Sequence, residues 1–218
     1  MATTQYLGNQ NLKAAGVAVN FTREQIEEYM RCAGDPIYFI INYCKIVTLD
    51  HGLQPFDLYE YHKNKINIIH ENRRIILMEG RQQGKTTTSA AYILWTTLFS
   101  ANKTVAILAN KAAAAREVLS RYQVMYEHLP VWLQQGVTTW NKGDIELENG
   151  SKVFTSATSS SAIRGRSVNM LYVDEAAIIP NNVAEDFFTS VYPTISSGEA
   201  FMLKSSKSLY FPLGITNA

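Results

Sequence analysis

The most restrictive feature of this chain is a short apolar run, Arg74 to Met78 ("RIILM"), that passes without a break into Glu79-Gly80-Arg81-Gln82-Gln83-Gly84-Lys85-Thr86-Thr87. Four apolar residues in a row after Arg74 suit a strand buried on both faces. The residues after it nearly fit the phosphate-binding pattern G-x-x-x-x-G-K-S/T, with Glu79 where the pattern has its first glycine. A phosphate loop needs a strand, a tight turn whose N–H groups wrap the phosphates, and a helix whose N-terminus faces them. All three are legible: Gly84 lets the backbone approach closely, Lys85 supplies a charge, and Thr86 opens a helix with a hydroxyl suited to Mg²⁺. The missing glycine alters only the entry to the loop, and Glu79 fills that place if its φ stays negative.

The pattern repeats downstream. A helix is predicted from Thr86 to about Phe99, a buried strand over Thr104 to Ala109 and a long helix from Lys111 to Leu129 ended by Pro130. Strand and helix in alternation imply an α/β fold with a mostly parallel sheet. A later apolar run, "MLYV", ends in Asp174-Glu175. An NTPase needs a carboxylate at the end of a buried strand for the Mg²⁺ shell and a second beside it to orient and deprotonate water. Asp174 and Glu175 fit those two roles, and with them Glu79 to Thr87 reads as a variant phosphate loop.

Upstream, Thr22-x-x-Gln25 marks a capping box for a helix from Arg23 to Cys32; a second helix is predicted over Ile37 to Val47 and a third over Leu58 to Glu71. Residues 1 to 20 are small and polar, the pattern of a loose arm. "DIELENGSKVFTSAT" alternates around Asn149-Gly150 and predicts a β-hairpin projecting from the parallel sheet. At 218 residues the chain suits one α/β domain with accessory helices. Its net charge of +1 gives no overall pull toward nucleic acid or membrane. No apolar stretch is long enough to span a bilayer, no signal peptide is visible, and Cys32 and Cys44 lack metal-ligand spacing; a soluble, reduced, intracellular protein is expected.

The arginines leave alternatives open. Arg81 either contacts a γ-phosphate in cis or makes a salt bridge that shapes the loop. Arg164 and Arg166, in "SSSAIRGRS", fit phosphate sensors, DNA contacts or solvated charges. Lys63, Lys65, Arg73 and Arg74 read as a solvated rim, and His51, His62, His70 and His128 show no metal-ligand spacing.

The segments "GRQQGKTT", "VAILANKAAAAREVLSR", "LPVWLQQGVTTWNKGDIELENGS", "AIRG", "MLYVDEAAIIP" and "PTISSG" resemble, in order and spacing, the ATPase domain of the large terminase subunit of tailed bacteriophages, in particular its T-even-like branch. The resemblance covers roughly residues 50 to 198. It implies an ASCE-type P-loop NTPase, a mostly parallel sheet flanked by helices with an N-terminal helical segment and a β-hairpin insertion. It also implies a motor that hydrolyses ATP with Mg²⁺, forms a homo-oligomeric ring on the portal protein, works with the small terminase subunit and pumps double-stranded DNA in the host cytoplasm. Carried over by residue, Gly80, Arg81, Gln82, Gln83, Gly84, Lys85, Thr86 and Thr87 would bind nucleotide, Thr86 and Asp174 the metal, and Glu175 the water. Arg164 would be a finger reaching a neighbouring subunit's nucleotide. The family's adenine-reading glutamine follows an aromatic residue; here Tyr61 is followed by His62, and Gln54 is a substitute.

The implied organisation is an arm over 1–20, helices over 21–71, a nucleotide-binding core over 72–198 and an atypical tail over 199–218, with no nuclease domain. Ser205 and Ser206 stand where the family has a Ser/Thr-rich coupling motif. The rival readings are an assembly module that binds without turnover and a helicase-like ATPase.

Overall fold

The computed structural model describes residues 4–206 apart from 81, 160, 164, 181, 182, 184, 188 and 191–200; for 177 and 201–206 only the backbone is described. The N-terminal half begins as the capping signal dictates. In α1 (Arg23–Gly34) the Thr22 Oγ1 accepts from the Gln25 N–H at 3.2 Å, and the Gln25 Oε1 accepts from the Thr22 N–H at 3.0 Å. Asp35 then caps α2 (Pro36–Tyr43), accepting from the N–H groups of Ile37 and Tyr38.

Here the fold departs from the expected helix. The chain leaves the helical path at Cys44, and β1 (Lys45–Thr48) pairs antiparallel with β2 (Gly52–Pro55). The β-branched run Ile46-Val47-Thr48 favours a strand, and Gly52 at φ 64° supplies the left-handed turn residue. Then α3 (Glu60–Glu71) turns His62, Lys65, Ile66 and Ile69 inward, one stripe at helical spacing.

A seven-stranded sheet follows, built from β3 (Arg74–Met78), β4 (Thr104–Ala109), β5 (Val137–Trp140), β6 (Asp144–Leu147), β7 (Lys152–Ala157), β8 (Met170–Val173) and β9 (Phe201–Ser206). Its order is β3-β9-β8-β4-β7-β6-β5. The first five strands in that order run parallel, whereas β7, β6 and β5 pair antiparallel. The hairpin at Asn149-Gly150 therefore forms, but it lies in the plane of the sheet instead of projecting from it, because β7 pairs along β4. Helices α4 (Lys85–Phe99) and α5 (Ala112–Glu127) pack on one face of the sheet with Ile93, Leu94, Leu119 and Tyr122 fully buried. A smaller core around Leu108, Phe154, Leu171 and Phe187 covers the other face. Parallel strands bring the C-terminal ends of β3, β9, β8 and β4 to one edge, which is where an open α/β sheet presents its site. Among the described residues no helix is long and apolar enough to cross a membrane.

The N-terminal residues expected as a loose arm lie against β5 and β6. Leu12 is buried, the Lys13 N–H donates to the Gln134 Oε1 at 2.9 Å, and the Lys13 Nζ sits 2.9 Å from the Glu148 Oε1. Burial alone would raise the Glu148 carboxyl, but hydrogen bonds from Lys13 and from the N–H groups of Gly16 and Gly136 hold it below the ordinary glutamate value. A depressed folded value stabilises fully above the unfolded value, about 4.3, and that contribution is lost as pH falls through the folded value. Replacing Glu148 by Gln is expected to lower the unfolding free energy by about 2 kcal/mol at neutral pH, from the loss of charged hydrogen bonds. The deficit should begin to shrink below the unfolded value, about 4.3, and close only once the pH is below the lower folded value. Urea unfolding at the two pH values measures it, and a deficit equal at both would mean that the Glu148 charge is not its source.

Candidate nucleotide site

The loop between β3 and α4 is set by its backbone. Gly84 immediately precedes α4 with φ 65° and ψ 12°, and a Cβ there would lie 2.7 Å from the His62 Nε2, so conformation and space both require glycine. Gln82 is also left-handed, at φ 60°. Left-handed residues alternating with ordinary ones turn successive N–H groups toward a common concavity, the arrangement that holds anions. The Gly80 N–H donates to the Gln83 Oε1 at 3.0 Å and closes the loop across its mouth. Glu79, in the place of the missing glycine, is not among the non-glycine residues with positive φ.

Its side chain has a partner that the sequence reading missed. The Lys65 Nζ donates to the Glu79 Oε2 at 3.0 Å and to the Lys85 carbonyl at 2.7 Å. Lys65 is only 3% exposed, which corrects its assignment to a solvated rim; Lys63 is half-buried, and Arg73 and Arg74 do lie at exposed positions. Burial pushes the Lys65 ammonium down from its ordinary value, opposed by the charges of Glu79 and Asp174. The signal was its spacing: Lys65 shares the inward stripe of α3 with Ile66 and Ile69.

His62 lies one turn earlier on that stripe and is also buried. Its Nδ1 accepts from the Tyr59 N–H at 3.3 Å, so the hydrogen-bond network assigns the proton to Nε2, which donates to the Gln83 carbonyl at 3.0 Å. Burial is the largest influence lowering its pKa, in keeping with a neutral ring. Both ring nitrogens are thus engaged by backbone. Gln54 lies in β2 opposite Ile46.

At the start of α4, Lys85 is 7% exposed, and the Thr86 Oγ1 lies 3.4 Å from the Asp174 Oδ2. That contact joins the loop to the end of β8. Asp174 is itself fixed: its Oδ1 accepts from the Tyr172 hydroxyl at 3.0 Å and from the Glu175 N–H at 3.1 Å. Tyr172, buried two residues earlier on the same strand, read in the sequence as one more apolar residue. Glu175 adopts φ 51°, ψ 43°, so the chain turns sharply as it leaves β8. A left-handed glutamate costs about 1–2 kcal/mol, a kind of strain that gathers at functional sites. Thr87 accepts from the Arg121 Nη1 on α5 at 3.1 Å, a second neighbour that sequence reading passed over.

Arg81 and Arg164 lie outside the described residues. Arg166 stacks over the Phe154 ring, 4.3 Å from its centroid, on the face of β7. Phe154 pairs with Ala106 in the middle of β4, away from the strand ends that carry Asp174. In sum, one edge of the sheet holds a lysine, a hydroxyl and two carboxylates beside an anion-shaped loop. Hard oxygen donors at Thr86 and Asp174 suit Mg²⁺, and the loop with Lys85 suits phosphate.

The family profile described as "Terminase large subunit, T4likevirus-type, N-terminal" matches residues 76–191. Among solved structures, the large terminase of bacteriophage HK97 is similar at a TM-score of 0.66 and 20% identity, over 80% of this chain and 37% of that one. A mutant of the large terminase ATPase domain of Thermus phage P74-26 is similar at 0.54 and 18%, over 69% of this chain and 65% of that one. The large terminase of a thermophilic bacteriophage in complex with ATP-gamma-S is similar at 0.52 and 14%, over 69% and 38%. At these identities the likeness is one of fold, the P-loop ASCE fold of the terminase ATPase domains, and the chain spans 37% of the HK97 protein's length.

Proposed function

The chain belongs to the family of T4-like large terminase subunits, whose N-terminal region it matches, and from that membership we propose that it binds ATP with Mg²⁺ and hydrolyses it to drive double-stranded DNA into a capsid. The observation that carries this reading is the approach of the Thr86 Oγ1 to the Asp174 Oδ2, 3.4 Å across 88 residues of sequence. Two motifs legible separately meet there, at one edge of the sheet. The ATP-gamma-S complex of a protein with the same fold supports the choice of nucleotide.

In this reading residues Gly80 to Thr87 hold the phosphates through backbone N–H groups, and Lys85 neutralises the β/γ oxygens. Thr86 and Asp174 would hold Mg²⁺, which when bound would supply positive charge against the charge that develops on the phosphate. Glu175, turned out of the strand by its left-handed backbone, orients the attacking water and takes its proton. Arg81 contacts the γ-phosphate or shapes the loop, and Arg164 reaches a neighbouring subunit's nucleotide in a ring. The portal protein and the small terminase subunit are the partners. The core begins at 72 and takes in β9 between β3 and β8, and it is preceded over 21–71 by α1, α2, the β1–β2 hairpin and α3. Ser205 and Ser206 pair in register with Leu77 and Met78 beside the loop, which supports a coupling role for them.

The test is ATP binding and Mg²⁺-dependent hydrolysis by the purified chain, with and without double-stranded DNA. Binding without turnover, alone or with portal, would favour the assembly module, and strand separation would favour the helicase-like reading. A finer prediction concerns Tyr172. Without its hydroxyl the Asp174 Oδ1 keeps only the Glu175 N–H, so Tyr172→Phe should raise the Mg²⁺ concentration for half-maximal turnover by about three- to tenfold, one hydrogen bond's worth. An unchanged Mg²⁺ dependence would remove Tyr172 from the site.

A further inference from the structure

We propose that the buried Lys65–Glu79 ion pair is a positioning device that keeps the nucleotide loop in its anion-holding shape before any nucleotide arrives; this rests on the nucleotide reading of the loop. One ammonium on α3 touches both ends of the loop, the Glu79 carboxylate where the chain enters and the Lys85 carbonyl where it leaves. The His62 Nε2, one turn earlier, holds the Gln83 carbonyl between them. The loop thus rests on a single helix at three points, and that helix is fixed in turn by the core packing of Ile66 and Ile69.

Stability alone does not explain this choice of residues. Removing a carboxylate and an ammonium from water carries a penalty that their attraction offsets only with good hydrogen bonds, and an apolar pair of similar volume folds as well or better. What an apolar pair cannot do is grip a carbonyl and fix direction. Glu79 has a second consequence. It offsets the charge of Lys65 close beneath the loop. A loop already held in shape binds with less ordering cost.

The test uses the full chain as Lys65→Met, as Lys65→Met with Glu79→Leu, and as Lys13→Met. The last removes a buried lysine that pairs with Glu148 beside β5, at the far side of the sheet from β3 and roughly 30 Å away by strand spacing. Hydrogen exchange of the amides of residues 80–85 is measured without nucleotide, together with ATP affinity and urea stability. In Lys65→Met those amides should exchange about tenfold faster or more and ATP affinity should fall by a similar factor, the loss of a charge-assisted hydrogen bond. The double variant should recover stability but keep the fast loop and the weak binding, and it carries the test if Lys65→Met does not fold. Lys13→Met should lose stability and leave both loop readouts at the native level. Native exchange at 80–85 in the double variant, or a matching loop effect from Lys13→Met, would overturn the proposal. If the native chain binds no ATP, the nucleotide reading falls and the exchange arm decides the positioning role by itself.

Discussion

Glu175→Gln is expected to lower ATP turnover by about 10²-fold or more while leaving ATP affinity within about twofold of native. The amide keeps the size and the hydrogen-bonding reach of the carboxylate but cannot take a proton from water. It leaves both donors to the Asp174 Oδ1 in place, since the one from Glu175 is its backbone N–H and not its side chain. The strained backbone is also retained, because glutamine at φ 51° meets the same steric cost as glutamate. Single-turnover hydrolysis beside an equilibrium binding measurement separates the two effects. Equal losses in binding and turnover would remove Glu175 from the role of base.

Lys85→Ala should act on the other quantity. Lys85 is nearly buried at the first position of α4. Without it, the β/γ-phosphate charge meets backbone N–H groups and a helix terminus worth about half an elementary charge. ATP affinity is expected to fall by about 10²-fold or more, since the lost contact pairs full charges in a confined site. Circular dichroism and urea unfolding should stay close to native. Retained affinity in a direct binding assay would mean that the loop, or the lysine's place in it, has been misread.

How much of this was legible follows from how local each determinant is. The Thr22–Gln25 cap, the strand that ends in Glu79, and the strand that ends in Asp174 each depend on a few consecutive residues, and each forms where the pattern puts it. The β1–β2 hairpin was hidden because the apolar run after Pro36 continues through the helix into the strand, and only the short β-branched run Ile46-Val47-Thr48 marks the change. Lys65 was hidden for a different reason. A lysine becomes an interior residue only when a carboxylate is brought to it, and Glu79 arrives 14 residues later by way of a tertiary contact. The same holds for Lys13, whose partners Gln134 and Glu148 come from far along the sequence. Alternation around Asn149-Gly150 marked the hairpin, but nothing local could say that β7 would align with β4.

The position of β9 bears on when the protein can become active at all. Among the described residues β9 is the sheet partner of β3, and it is also what joins β3 to β8. A ribosome adding about 5–20 residues per second therefore completes β3 roughly 6–25 s before it completes the strand that β3 pairs with. Throughout that interval the apolar "RIILM" segment is a nascent chain with an open edge, and the arginine pair at its start, Arg73 and Arg74, puts charge where aggregation would nucleate. Among the described residues β9 is the last strand, and it lies between the strand that leads into the loop and the strand that leads into the acids. Biosynthesis thereby makes the joining of β3 to β8 a late event, and a chain that stops short of residue 201 is expected to lack the strand that joins them.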